Sequence, residues 1–186
     1  MITVKINGEE RQYPQGATYE DVANDYQKEY DNLIALAARD GKIRELFKKL
    51  TRDCEITFFT LKDNVGNKTY VRSATMLFLK AVFDVFGRET VQNCRVEFAI
   101  GNCSYISPKG KINATEENAA KIRNRMRELV EAKTPFLKKS YSLDNAMELF
   151  RREGMKDKEK LFRYRRGSFV NIYEMDGYYD YYYGYM

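Results

Sequence analysis

Residues 2–30 read ITVKINGEERQYPQGATYEDVANDYQKEY, and the first domain is decided there. Ile2–Ile6 alternates apolar and polar, the period of a strand with one covered face. Asn7-Gly8 is a strong two-residue hairpin signal. A second short strand then runs from about Glu10 to Tyr13 and stops at Pro14 and Gly16. Thr18, with Asp21 three residues on, reads as a capping box that opens a helix over Tyr19–Tyr30. Val22, Ala23 and Tyr26 share that helix's buried face.

Working outward, a strand over Leu33–Ala38, a turn at Asp40-Gly41, a variable stretch to Lys49 and a strand over Glu55–Leu61 follow. Strand, hairpin, strand, helix and further strands make the β-grasp, or ubiquitin-like, plan. A composition shift at Lys62–Gly66 marks the boundary, so the first domain is 1–62 and the second 66–186.

The second part opens on a helix predicted over Thr69–Phe86, apolar nearly all round and therefore a core helix, ended by Gly87. Strands over Arg95–Ile100 and Cys103–Ser107 meet at Gly101-Asn102. Asn113 or Thr115 caps a long helix to about Ala132, with Ala119, Ile122, Met126, Leu129 and Val130 turned inward and Lys121, Arg123, Arg125 and Arg127 outward. A strand over Phe136–Tyr141, a helix capped by Ser142 and closed by Gly154, a basic stretch and a strand over Phe169–Tyr173 complete the reading. The fold class is α+β throughout, with an antiparallel sheet packed on helices in the second domain.

Histidine is absent from all 186 residues. That excludes His-based acid–base catalysis, Ser-His and Cys-His nucleophiles and imidazole metal sites. Cys54, Cys94 and Cys103 are too few and too scattered for a disulfide framework or a zinc knuckle, so a reduced, cytoplasmic protein is expected. The N-terminus has no signal-peptide pattern, and no apolar run reaches the roughly 20 residues that span a bilayer; no membrane partner is expected. Without secretion the N-x-S/T triplets at Asn67, Asn102 and Asn113 carry no meaning. Net charge is +5, concentrated after residue 62, which permits nucleic-acid contact without requiring it.

Two segments imitate phosphate loops and fail. Gly66-Asn67-Lys68-Thr69 has a residue between Gly and Lys, and in Gly110-Lys111-Ile112 the magnesium-binding hydroxyl is replaced by Ile. Glu116-Glu117, the most prominent carboxylate pair, sits in a helix's first turn, where the macrodipole favours anions.

The order of elements resembles a known pair of modules. Residues 1–62 resemble a TGS domain, the β-grasp module of threonyl-tRNA synthetases, stringent-response enzymes and some GTPases. Residues 66–186 resemble the second additional domain that follows TGS in threonyl-tRNA synthetases and recurs in alanyl-tRNA synthetases. In that family two histidines one helical turn apart and a late Cys-x-x-x-His make an editing site. Here Val71-Arg72-Ser73-Ala74-Thr75-Met76 puts Arg72 and Met76 at the histidine positions, and Phe169–Gly177 puts Tyr173 and Gly177 at those of the Cys and His. The resemblance therefore implies a degenerate pocket of Arg72, Met76, Tyr173 and Gly177 that holds a small ligand without catalysis and without a metal. Arg72 is read either as an anion-holding guanidinium or as one paired to a local carboxylate.

A closer resemblance is to the front half of bacterial uridine (nucleoside) kinases. It rests on Tyr70-Val71-Arg72-Ser73, Pro135-Phe136, Gly154-Met155-Lys156-Asp157-Lys158, Phe162-Arg163-Tyr164-Arg165 and the closing Tyr181–Met186. It implies a non-catalytic regulatory or ligand-binding module whose parent continues beyond Met186 into a kinase domain, with ATP and Mg used there alone. The alternative is a tRNA-binding fragment of a threonyl-tRNA synthetase-like protein, with Lys121, Arg125, Arg163 and Arg165 as RNA contacts. An active editing hydrolase is disfavoured. The closing tyrosines are read as a strand with one covered face or as base-stacking rings.

Overall fold

The computed structural model describes residues 1–101, 103–108 and 112–186, so the expected hinge residue Asn102 and the Gly110-Lys111 motif lie outside the described residues. The chain forms two compact units, 1–73 with 184–186, and 74–183. The division falls inside a helix rather than in the segment Lys62–Gly66 where the sequence reading places it.

In the first unit β1 (Ile2–Ile6), β2 (Glu9–Tyr13), β3 (Ile34–Arg39), β4 (Lys42–Glu45) and β5 (Cys54–Thr60) form one sheet in the order β2-β1-β5-β3-β4. β1 and β5 run parallel and the other pairings are antiparallel. This is the β-grasp arrangement. Ile2, Val4 and Ile6 point to one face because alternate strand residues do, and they meet Tyr19, Val22, Ala23 and Tyr26 of α1 (Tyr19–Tyr26) in one core with Ile34, Ile56 and Phe58. Each such aliphatic or aromatic side chain contributes about 1.5–3 kcal/mol when fully buried. The capping box forms as read: the Thr18 hydroxyl accepts from the Asp21 N–H at 3.1 Å, and the Asp21 carboxylate accepts from the Thr18 N–H at 2.7 Å. The helix is shorter than expected; it tightens into a 3-10 turn over Gln27–Glu29. β4 is an addition to the sequence reading, because Lys-Ile-Arg-Glu is an edge strand with no apolar alternation to betray it.

Helix α2 (Asn64–Phe86) starts five residues earlier than expected. Asp63 is its cap: its carbonyl accepts from Asn67 N–H at 2.8 Å while its carboxylate accepts from Thr60 N–H at 2.7 Å. Gly66 is helical and buried against the end of β5; a Cβ there would lie 2.1 Å from the Thr60 carbonyl oxygen. Gly66–Thr69 therefore lies within α2, with no glycine-rich loop before it to wrap a phosphate.

The second unit contains the rest of α2, then α3 (Arg88–Gln92), a two-stranded ribbon of β6 (Cys94–Ile100) and β7 (Cys103–Pro108), and α4 (Glu116–Glu131). A three-stranded antiparallel sheet of β8 (Leu137–Ser142), β9 (Phe169–Met175) and β10 (Tyr178–Asp180) follows, in the order β10-β9-β8, with α5 (Leu143–Arg152) and α6 (Lys156–Arg163). Val170 and Ile172 of β9 face the core built by Ala146, Leu149, Phe150 and Phe162. The alternate residues Tyr173 and Met175 are also buried, so this sheet is covered on both faces. α3 and α6 are absent from the sequence reading: α3 is only five residues long, and the composition of α6 is dominated by its basic residues. On α4, Ile122 and Leu129 are buried, whereas Ala119 and Val130 are exposed against expectation. Val130 lies about 100° round the helix from Leu129, beyond the narrow covered stripe. The closing tyrosines form a strand only at Tyr178–Asp180.

Candidate functional site

The four positions of the expected pocket have different surroundings. Arg72 belongs to the first unit. Its half-buried guanidinium donates to the Tyr185 carbonyl at 3.2 Å and lies so close to Gly184 that a Cβ there would meet its Cζ at 2.8 Å. At the adjoining chain end, Met186 N–H donates to the buried Glu45 at 3.3 Å. The partner seen for Arg72 is thus a backbone carbonyl of the chain itself.

Met76, Tyr173 and Gly177 belong to the second unit. Met76 is 0% exposed, a core side chain. Tyr173 is also buried, edge-on to Tyr182 at 6.4 Å between ring centroids, with Lys138 Nζ 5.3 Å from its own centroid. Gly177 has a structural explanation. Asp176 and Gly177 are the two-residue loop joining β9 to β10, both at positive φ (45° and 79°), the geometry of a type I′ turn for which Asp-Gly is a preferred pair.

Sequence reasoning passed over a further residue of this unit. Lys80, one helical turn beyond Met76, is 2% exposed. Its ammonium donates to Asp84 at 2.7 Å and to the Asp176 carbonyl at 2.8 Å, and lies 3.2 Å from the Asp176 carboxylate. Three donors therefore have three acceptors, so the buried ammonium leaves no N–H without a partner. Asp84 is shared with Arg125, whose Nε donates to it at 2.8 Å while its Nη1 donates to Glu128 at 2.9 Å. Hydrogen bonds to Glu128 and then Asp84 push the Arg125 guanidinium still higher in pKa. A lysine inside Met-Leu-Phe-Leu-Lys-Ala-Val-Phe was the available signal, since such a position is covered only if the charge is paired.

A shallow cleft of about 490 Å³ adjoins this network, with Arg125, Glu128, Glu174 and Asp176 on its rim. Its charges are already matched: Arg125 by Glu128, Asp176 by Lys80, and Glu174 by Lys139 at 2.6 Å, a bond that raises the lysine's pKa. Among the described residues no group of three Cys, Asp or Glu side chains comes together to hold a metal ion. Chemically the arrangement is a network in which each of these charges has an opposite partner.

The four expected RNA contacts divide. Lys121 is held by Glu117 at 2.7 Å and Arg125 by Asp84 and Glu128. Arg163 lies 3.5 Å from Glu159, and Arg165 donates to the Tyr181 hydroxyl with its guanidinium 5.3 Å from the same ring's centroid. Tyr181 in turn stands edge-on to Phe162 at 5.0 Å. The closing tyrosines are therefore in part structural. Tyr178 donates to the buried Asp180, which also pairs with Lys158 at 2.9 Å; burial first, then the carboxylate, raises the Tyr178 pKa well above its ordinary value. The cysteines are free, and among the described residues no helix is long and apolar enough to cross a membrane.

No family model matches the chain. Curated relatives do. The chain is 27% identical to a threonine–tRNA ligase of Thermotoga petrophila and 28% identical to that of Thermotoga maritima, each over 92% of this chain and 28% of the relative. A threonine–tRNA ligase of Maricaulis maris is 26% identical over the same shares. The chain thus spans little more than a quarter of the length of these relatives, and the uridine-kinase context expected from the sequence finds no support among them. What the comparisons establish is a similarity, along nearly the whole chain, to threonine–tRNA ligases.

Proposed function

We propose that this chain is a tRNA-binding module of the kind that precedes the catalytic core of threonyl-tRNA synthetases, and that it does not perform the editing hydrolysis of that family. The observation that carries the reading is the similarity to threonine–tRNA ligases over 92% of the chain, both units included. The non-catalytic half rests on the site positions. Met76 and Tyr173 are core side chains, Gly177 makes a turn, and the Lys80 ammonium is bonded to the residue just before that turn's glycine. On this reading the ligase activity of such a synthetase, with its use of ATP and Mg, is carried by other residues than these.

The test is binding of threonine tRNA to the purified chain across a salt series. The expected result is measurable affinity that falls as salt rises, with a log–log slope set by the phosphates contacted. Equal retention of tRNA and an uncharged polymer, or no retention at low salt, refutes the reading.

A further inference from the structure

Two basic surfaces of the second unit compete for a nucleic-acid role, and the way their charges are paired separates them. Along α4 four cations stand among four carboxylates. Lys121 is tied to Glu117, Arg123 to Glu116 at 3.2 Å, and Arg125 to two acids at once. That helix presents almost no net field. Along α6 and the turn after it, Lys156, Lys158, Lys160, Arg163, Arg165 and Arg166 stand against Asp157 and Glu159 alone. Lys158 turns to Asp180, and Glu159 is shared between Arg151 and Arg163. Lys156, Lys160 and Arg166 are exposed and enter no ion pair among the described residues. The surplus positive charge of the unit is therefore concentrated here.

The same segment displays aromatic rings that the core leaves outside. Tyr164 is 76% exposed and Phe169 68%. Both stand on fixed backbone: Tyr164 is the residue that caps α6, and Phe169 is paired with Ser142 at the start of β9, just after the Ser168 carbonyl accepts from Leu143 N–H at 3.2 Å. Exposed rings held on a rigid frame among unpaired cations suit the faces of unstacked bases and the phosphates between them. A duplex, whose bases are already stacked on one another, offers such rings little.

We propose that the segment from the end of α6 to the start of β9 binds unpaired nucleotides of RNA, with Tyr164 and Phe169 each stacking on a base and Lys160 and Arg166 contacting the flanking phosphates. This rests on the RNA-binding reading above and gives it a location and a preferred form of RNA.

Fluorescence anisotropy with labelled threonine tRNA, a short uridine-rich strand and an RNA duplex of equal length tests it. Y164A and F169A should each weaken binding of the single strand by about 5- to 150-fold, stacking being worth about 1–3 kcal/mol per base. Y164F should keep the affinity, since the ring is what stacks. The double variant K160A/R166A should shallow the salt slope by about 1.4, two phosphates' worth on a single strand. K121A should change nothing beyond twofold. Both aromatics being exposed, their variants should melt with the wild type. If the wild-type chain binds no RNA at all, the proposed function fails and this inference with it. If it binds tRNA and Y164A and F169A bind equally well, or if the duplex is preferred, the inference fails alone.

Discussion

Replacing Gly66 by alanine is a sharp test of the packing between α2 and the first unit's sheet. In an ordinary helix the change gains about 0.5–1 kcal/mol, because glycine loses more backbone freedom on folding. Here the new methyl would lie 2.1 Å from the Thr60 carbonyl oxygen and 2.8 Å from its carbon. That carbonyl is not free to swing away: it accepts from Asp63 N–H at 3.1 Å, and Thr60 N–H and hydroxyl both donate to the Asp63 carboxylate. Relief requires the helix start to lift by about an ångström, which costs about 1–3 kcal/mol in overpacking. Loss of the Asp63 N–H bond adds about 1 kcal/mol. Against the propensity gain, the net expectation is a loss of about 1–3.5 kcal/mol. For a unit of this size that is roughly 4–28 °C in Tm. Urea unfolding followed by far-UV circular dichroism reads it as a lower midpoint at unchanged m-value. A G66A protein as stable as the wild type, or more so, refutes the close approach and with it the account of where α2 begins.

Other expectations follow from buried charge and from burial of phenols. K80M removes the ammonium that serves Asp84 and both oxygen sites of Asp176, and should cost about 2–3 kcal/mol, less than a fully buried pair because Asp84 keeps Arg125 and Asp176 is partly solvated; an unchanged denaturation midpoint would show that the network contributes nothing. The Tyr13 hydroxyl donates to Asp25 at 3.0 Å, and burial, then that bond, pushes its pKa up to about 12. The folded chain therefore holds a proton that the unfolded chain releases near pH ~10. This contribution is complete below the unfolded pKa and is lost as pH rises through the folded one. Denaturation midpoints should fall between about pH 10 and 12, and fall less in Y13F; identical alkaline profiles for the two proteins would contradict the coupling.

What the sequence disclosed follows from how local each signal is. Ile2–Ile6, Asn7-Gly8 and the Thr18/Asp21 box each carry their structure within a few residues, and all three form as read. The start of α2 was hidden because Gly66 and the polar run before it resemble a linker; only the closeness of the Thr60 carbonyl explains the glycine. β4, α3 and α6 have no apolar period strong enough to show, and tertiary partners decide them. Val130 and Ala119 fit a core by periodicity, yet whether a stripe is two or three residues wide depends on what covers it. At the site, the signal that Met76 packs in the core rather than lining a pocket was its run of apolar neighbours in α2. Lys80 was not, because the acids that satisfy it, Asp84 apart, come from a turn 96 residues away. Which cations stay unpaired is likewise a property of the folded surface.

The central claim is that this scaffold holds tRNA and leaves it chemically unchanged. Its most direct measurement incubates the chain with threonine tRNA mischarged with serine, following complex formation and the surviving aminoacyl ester in the same samples. The account predicts a salt-sensitive complex in which the ester decays at its spontaneous rate, with zinc present or absent. Ester loss that scales with the concentration of the chain would contradict it.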